Sequence, residues 1–108
     1  MLVDSSTTGL SDVQISRIRS VFGLYPGIRQ AILFGSRAMG LHRYGSDIDI
    51  AIDSDEITFN DLLHLKMLID DLNLPFNVDL IHIQRIENTD LLDHIHRVGK
   101  TLYTRDNS

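Results

Sequence analysis

The run Gly35–Ile52, GSRAMGLHRYGSDIDIAI, constrains this chain more than any other stretch. Gly35-Ser36 follows the apolar residues Ala31, Ile32, Leu33 and Phe34, and Asp47-Ile48-Asp49 leads into Ile50, Ala51 and Ile52. Ten residues lie between Ser36 and Asp47. Both apolar runs are expected to be strands. A strand alternates its side chains, so Asp47 and Asp49 share one face while Ile48 points into the core. Two carboxylates 4 Å apart repel by ~4 kcal/mol at an effective dielectric of ~20. Such a pair is tolerable when one group is protonated or a cation sits between them. Oxygen-only ligands suit a hard cation, and Mg²⁺ is the usual one where phosphates are also handled.

The same run supplies a place for phosphates. A strand that ends in Gly-Ser and turns into a short helix over Ser36–Met39 offers backbone N–H groups, a hydroxyl and a helix dipole to an anion. Gly35 lets the backbone approach closely, and Arg37 adds a fixed positive charge. An anion cradle beside a carboxylate pair is the layout that phosphoryl or nucleotidyl transfer requires.

Gly-Ser, ten residues and then Asp-x-Asp resembles the signature of the nucleotidyltransferases of the DNA polymerase β superfamily. More narrowly, the chain is similar to the stand-alone minimal nucleotidyltransferases (MNT proteins), small chains that work with a separate all-helical HEPN protein, in several cases as the antitoxin of a toxin pair. The resemblance runs over roughly Ile28 to Tyr103. It implies a third acid on a later strand, after an intervening helix, and Asp79 within Asn77–Ile81 fits that place. It further implies that Asp47, Asp49 and Asp79 are the catalytic and metal-holding residues, with two Mg²⁺ ions expected. The donor is an NTP, expected to be ATP, held by Gly35, Ser36 and Arg37. Asp79 is expected to hold the ion that faces the acceptor and to orient or deprotonate the acceptor hydroxyl.

The 108 residues suit one domain over 1–108 with a modest core. Without cysteine there are no disulfides or thiolate metal sites. No apolar run approaches the ~20 residues of a membrane helix, and the first residues lack a signal-peptide pattern, so a soluble cytoplasmic protein is the expectation. The net charge of −5 argues against a general nucleic-acid binder. Up to Ser46 there are five arginines against two acids, and after it thirteen acids against five bases. The positive segment therefore contains the cradle and the negative one begins at the acid pair.

Along the chain, Met1–Gly9 reads as a frayed start. Ser11 to Gln14 reads as a capping box, with Leu10 and Ile15 as its hydrophobic staple. Ile15, Ile18 and Phe22 recur at helical spacing until Gly23. Pro26-Gly27 marks a turn, Ile28–Phe34 the first strand and Asp47–Asp53 the second. Thr58–Leu72 is expected to be a helix, capped by Thr58 with Asp61 and carrying Phe59, Leu62, Leu65, Ile69 and Leu72 as its core stripe. Phe76–Ile83 is the third strand. Asn88 or Thr89 caps a last helix closed by Gly99, and Thr101–Tyr103 forms a short edge strand. This order implies an α/β fold with a small mixed β-sheet and helices, the minimal nucleotidyltransferase fold.

The remaining polar residues receive plainer readings. Asp53 has the parity of Asp49 but stands beside Ser54, Asp55 and Glu56, which implies a solvated loop. Asp79, among Val78, Leu80 and Ile81, implies a buried carboxylate in need of a cation, the alternative being a strand-end acid that reaches water. His94 and His96 are two apart on a helix and face different ways, and His82 has the opposite parity to Asp79, so a zinc site is not expected. His42 and Arg43, in the loop between cradle and acids, read either as triphosphate contacts or as a solvated loop, and Arg17, Arg19 and Arg29 read as surface. Strands, helices and cradle consume nearly the whole chain, so the acceptor surface is expected on another protein, in line with a small HEPN-type partner. The alternative from another class is a non-catalytic binding module that neutralises a helical partner by contact. An enzyme acting on a small molecule or an RNA end is disfavoured by the missing acceptor wall and the acidic charge.

Overall fold

Ser11 opens the first helix with a reciprocal cap. Its hydroxyl accepts from the Gln14 amide at 3.1 Å, and the Gln14 side chain accepts from the Ser11 amide at 2.9 Å. Leu10 and Ile15, the expected staple, are both buried, and α1 runs Asp12–Phe22. The computed structural model describes residues 8–41 and 47–105. After α1 come β1 (Gln30–Phe34), the one-turn helix α2 (Gly35–Ala38), β2 (Ile48–Asp53) and α3 (Phe59–Asp70). These are followed by β3 (Val78–His82), a 3₁₀ turn at Ile83–Arg85, α4 (Thr89–Val98) and β4 (Lys100–Thr104).

The strands form one mixed sheet in the order β3-β2-β1-β4. β1 pairs antiparallel with β2 and with β4, whereas β2 and β3 are parallel. Parallel neighbours need a crossover, and α3 supplies it. Because β2 has a neighbour on each side and helices over it, Ile48, Ile50, Ala51 and Ile52 are all fully buried. One sheet face carries the main core, in which Leu33, Ile48, Ile50 and Val78 meet Ile18 and Phe22 of α1 and Leu65 and Ile69 of α3. The other face carries a smaller core of Phe34, Ala51 and Ile95, with α4 laid over it. Among the described residues no helix is long and apolar enough to cross a membrane.

Differences from the expected boundaries have local causes. β3 starts at Val78 rather than Phe76, because Phe76 turns its ring beneath the Arg37 guanidinium, 4.8 Å from centroid to Cζ. Asn73, at φ 55°, ends the α3 segment in the left-handed region. Gly99 does follow the last helix, yet its φ is −61°. It is a glycine for lack of room, since a Cβ would overlap the Ile95 carbonyl and the Ile32 side chain. Phe59 departs from the expected core stripe of α3: Leu65 and Ile69 are buried, while Phe59 stays 57% exposed. The first residue of the helix, it lines a groove with Leu80 and Asp79 of β3 instead of entering the core.

Candidate active site

The β1–β2 ladder sets Phe34 opposite Asp49, and the parallel β2–β3 ladder sets Asp49 opposite Asp79. Adjacent strands lie ~4.8 Å apart, and residues in register share a face. Asp49 and Asp79 are therefore side by side, on the face that α4 covers only in part. Gly35, the next residue after β1, meets Asp49 directly: at φ +76° and with no Cβ, it leaves space that the Asp49 Oδ2 fills. Asp47 stands just before β2 and is exposed. The fold thus brings the cradle glycine and the acids to the end of the sheet where β1 finishes and β2 and β3 begin.

Electrostatics single out Asp49. Burial, then the nearby Asp79 and Asp47 carboxylates, push its pKa above the ordinary aspartate value, and His94 only partly opposes them. A half-buried carboxylate held next to two others is an unsatisfied anion, and a divalent cation is what this donor set fits. Among the described residues, no three His, Cys, Asp or Glu side chains stand grouped as a ready-made metal cage. A cation shared between one or two carboxylates and the phosphates of a ligand needs no such cage.

Asp79 differs from its expected environment. It is exposed, because β3 is an edge strand of the sheet. The burial expected there falls on Asp49 instead. A groove of about 220 Å³ borders Asp79, lined also by Phe59, Leu62, Leu63, Lys66 and Leu80.

Arg37 is placed behind the cradle. Its side chain is only 3% exposed, donates from Nη1 to the Thr8 carbonyl at 2.8 Å and lies over Phe76. Burial lowers its pKa, yet a guanidinium stays charged at neutral pH. Its charge therefore sits beneath the one-turn helix. Ser36 is half-buried at the start of α2, and its carbonyl accepts from Leu41 N at 2.9 Å. His42 and Arg43 lie outside the described residues.

His94 is the residue that sequence reasoning passed over. Its Nε2 accepts from the Gly35 amide at 3.3 Å, and its ring meets Phe34 edge to face, with centroids 6.2 Å apart. Its helical position carried one signal: Leu91, Ile95 and Val98 turn α4 onto the sheet, and His94 lies on the flank of that stripe. Which end of the sheet the flank meets is a tertiary fact. His82 is buried beneath the opposite end, its Nε2 2.6 Å from the Ser54 carbonyl oxygen.

Asp53 is not a solvated loop residue. It ends β2 and is bonded by Arg29 at 2.6 Å, by Gln84 at 2.6 Å and by Gln30 at 3.2 Å. Burial alone raises its pKa, but these hydrogen bonds, Arg29 foremost, outweigh burial and hold it below the usual range. Arg29 also reaches Asp55. Arg17 and Arg19 bind the carbonyls of Leu72 and Leu102, so these arginines tie segments together.

The chain resembles solved structures of two-protein systems. One is a toxin–antitoxin complex with AMP-PNP, 25% identical over 85% of this chain and 74% of that one, with a TM-score of 0.69. Another is an MntA–HepT toxin–antitoxin complex, 22% identical over 88% of this chain and 74% of that one, TM-score 0.66. A third is a tri-AMPylated Shewanella oneidensis HEPN toxin in complex with an MNT antitoxin, 23% identical over 86% and 71% of the two chains, TM-score 0.64. At the two lower identities the likeness is one of fold. Among curated proteins, none matches the chain. The family model described as polymerase beta, nucleotidyltransferase matches residues 16–108, which take in the cradle, all three acids and every strand. The chain therefore belongs to the polymerase β nucleotidyltransferase family.

Proposed function

We propose that this chain moves AMP from ATP to a hydroxyl on a small helical HEPN-type partner protein, with Mg²⁺ as the cation and the pair acting as a toxin–antitoxin system. The observation that carries this reading is the meeting of Gly35, Asp49 and Asp79 at one end of the sheet. The AMP-PNP complex and the tri-AMPylated toxin among the structural neighbours support the donor and the acceptor class.

In this reading the acceptor oxygen bonds to the α-phosphorus, the bond from that phosphorus to the bridging oxygen breaks, and pyrophosphate leaves. Asp79, exposed at the sheet edge, is reachable by a hydroxyl on another protein and takes its proton. Ser36 and the amides of the one-turn helix hold the β- and γ-phosphates, with the Arg37 charge beneath them. Asp47 and Asp49 would hold the cation together with the substrate phosphates, with Asp79 on its acceptor side, and the cation when bound would neutralise charge on the phosphates and polarise the reacting phosphorus. Catalysis is then mostly positioning and charge neutralisation.

The test is co-expression with a small helical HEPN-type protein from the same genome, followed by intact-mass measurement of that protein. Mass increments of AMP, absent with an Asp47→Asn variant, are the expected result. A partner that stays unmodified, yet is fully inhibited by Asp47→Asn, would replace transfer by contact-only neutralisation.

A further inference from the structure

Helix α3 is apolar on more sides than its own core uses. Leu65 and Ile69 face the sheet and are buried. Phe59, Leu63 and Met67, spaced four apart, lie along one outer strip, and they are 57%, 50% and 61% exposed. Single exposed apolar residues are ordinary on a soluble protein. Three in line along one helix face are not, because each adjoins the next and together they form one continuous patch.

The strip is also placed next to the chemistry. Phe59 and Leu63 form one wall of the groove whose other wall is Leu80 and Asp79. β3 is an edge strand, so no element of the chain among the described residues lies beyond that groove. Whatever covers the Phe59–Leu63 end of the strip therefore borders Asp79, the acid that in the function proposed above receives the acceptor's proton.

We propose that the Phe59–Leu63–Met67 strip is the docking surface for a helix of the partner protein, which lays an apolar face along α3 and so brings its hydroxyl-bearing segment to Asp79. This inference rests on the transfer reading, which requires an acceptor on a second protein. Charge selects the partner over a second copy. The strip runs from the neighbourhood of Asp79 to Asp70, and the one base in the groove, Lys66, is already bonded to Asp70 at 2.7 Å. A symmetric contact between two copies centred on the groove would set Asp79, which no base in the groove offsets, against its own equivalent in a chain of net charge −5. A partner helix with apolar residues at matching spacing and a flanking Lys or Arg meets no such opposition.

The experiment compares wild type with Leu63→Glu and Met67→Glu, singly and together, against the co-expressed helical partner. Both side chains are at least half exposed, so the variants should fold, which thermal melting checks. Titration calorimetry then reads partner affinity, a second titration reads Mg-ATP affinity, and mass spectrometry reads partner modification. Expected is at least a tenfold loss of partner affinity and of modification rate, with Mg-ATP affinity unchanged. Wild-type partner affinity in the folded double variant overturns the docking surface and leaves the transfer reading standing. Loss of the complex in the variants, with no modification by wild type either, keeps the surface and removes the transfer reading. A wild-type dimer that the substitutions dissociate while partner binding persists assigns the strip to a second copy and overturns the proposal.

Discussion

Gly35 and Asp49 fit together as a lock of two residues, the glycine at φ +76° leaving the space that the Asp49 carboxylate occupies. Any side chain at Gly35 meets two obstacles, a left-handed backbone costing about 1–2 kcal/mol and an overlap with Asp49 Oδ2. Gly35→Ala is expected to destabilise the fold by about 1–3 kcal/mol and to abolish nucleotide binding, because relief comes by displacing either the cradle or the acid. Denaturant unfolding and ATP titration on the same preparation check both halves.

Asp49 makes stability depend on pH and cation. Its folded pKa is raised above the unfolded value, so ionising it opposes folding; this cost is complete above the folded pKa and disappears as pH falls below the unfolded one. In EDTA at neutral pH, Asp49→Asn is expected to melt higher than wild type, with the gap closing on acidification towards pH 4. Adding Mg²⁺ and ATP should reverse the order, since only the carboxylate gains from the cation. Melting curves across pH, with and without Mg-ATP, read all three effects.

Asp79 and the pair Asp47 and Asp49 should separate kinetically. Asp79 lies on the exposed edge facing an incoming acceptor, whereas Asp49 is enclosed beside Gly35. Asp79→Asn is expected to leave Mg-ATP affinity near normal and to lower single-turnover transfer by about 10²–10⁴-fold or more. Asp47→Asn and Asp49→Asn should weaken binding and transfer together. Transfer by folded Asp79→Asn at close to the wild-type rate would remove Asp79 from the acceptor side.

His94 pins the Gly35 amide from α4. If that bond positions the cradle, His94→Ala should raise KM for ATP several-fold with a smaller effect on kcat. His94→Gln, which can still accept from the amide, should recover most of the loss. Equal defects in the two variants would show that the ring's contact with Phe34 matters rather than the acceptor atom.

Asp53 lies four residues along the strand from Asp49, about 13 Å at 3.3 Å per residue, and belongs to a structural network with Arg29, Gln30 and Gln84. Its pKa is lowered, so its contribution is present above the unfolded value and fades as pH falls through the folded one. Asp53→Ala is expected to cost about 1–2 kcal/mol at neutral pH, less in acid, with ATP affinity unchanged. The Arg29 share is partly screened by solvent, so raising salt should reduce the cost only modestly.

Local chemistry determined a great deal by itself. The caps at Ser11, Thr58 and Asn88 formed where their side chains predict, because a cap needs only residues within one turn. The alternation of Asp49 with the buried Ile48 and Ile50 along β2 followed from the period of a strand. What required the folded chain was everything set by strand order and helix placement. The exposure of Asp79 depends on β3 being the edge strand, and the enclosure of Asp49 on β2 lying inside. Arg37 turned inward because Phe76, thirty-nine positions on, meets it there. His94 reached Gly35 because α4 crosses that one end of the sheet. Phe59 fits the helical period of a core residue, and only the packing of α3 against the rest of the fold left it facing solvent. Periodicity states which side chains share a face; the neighbour that the face meets is fixed by contacts between residues far apart in sequence.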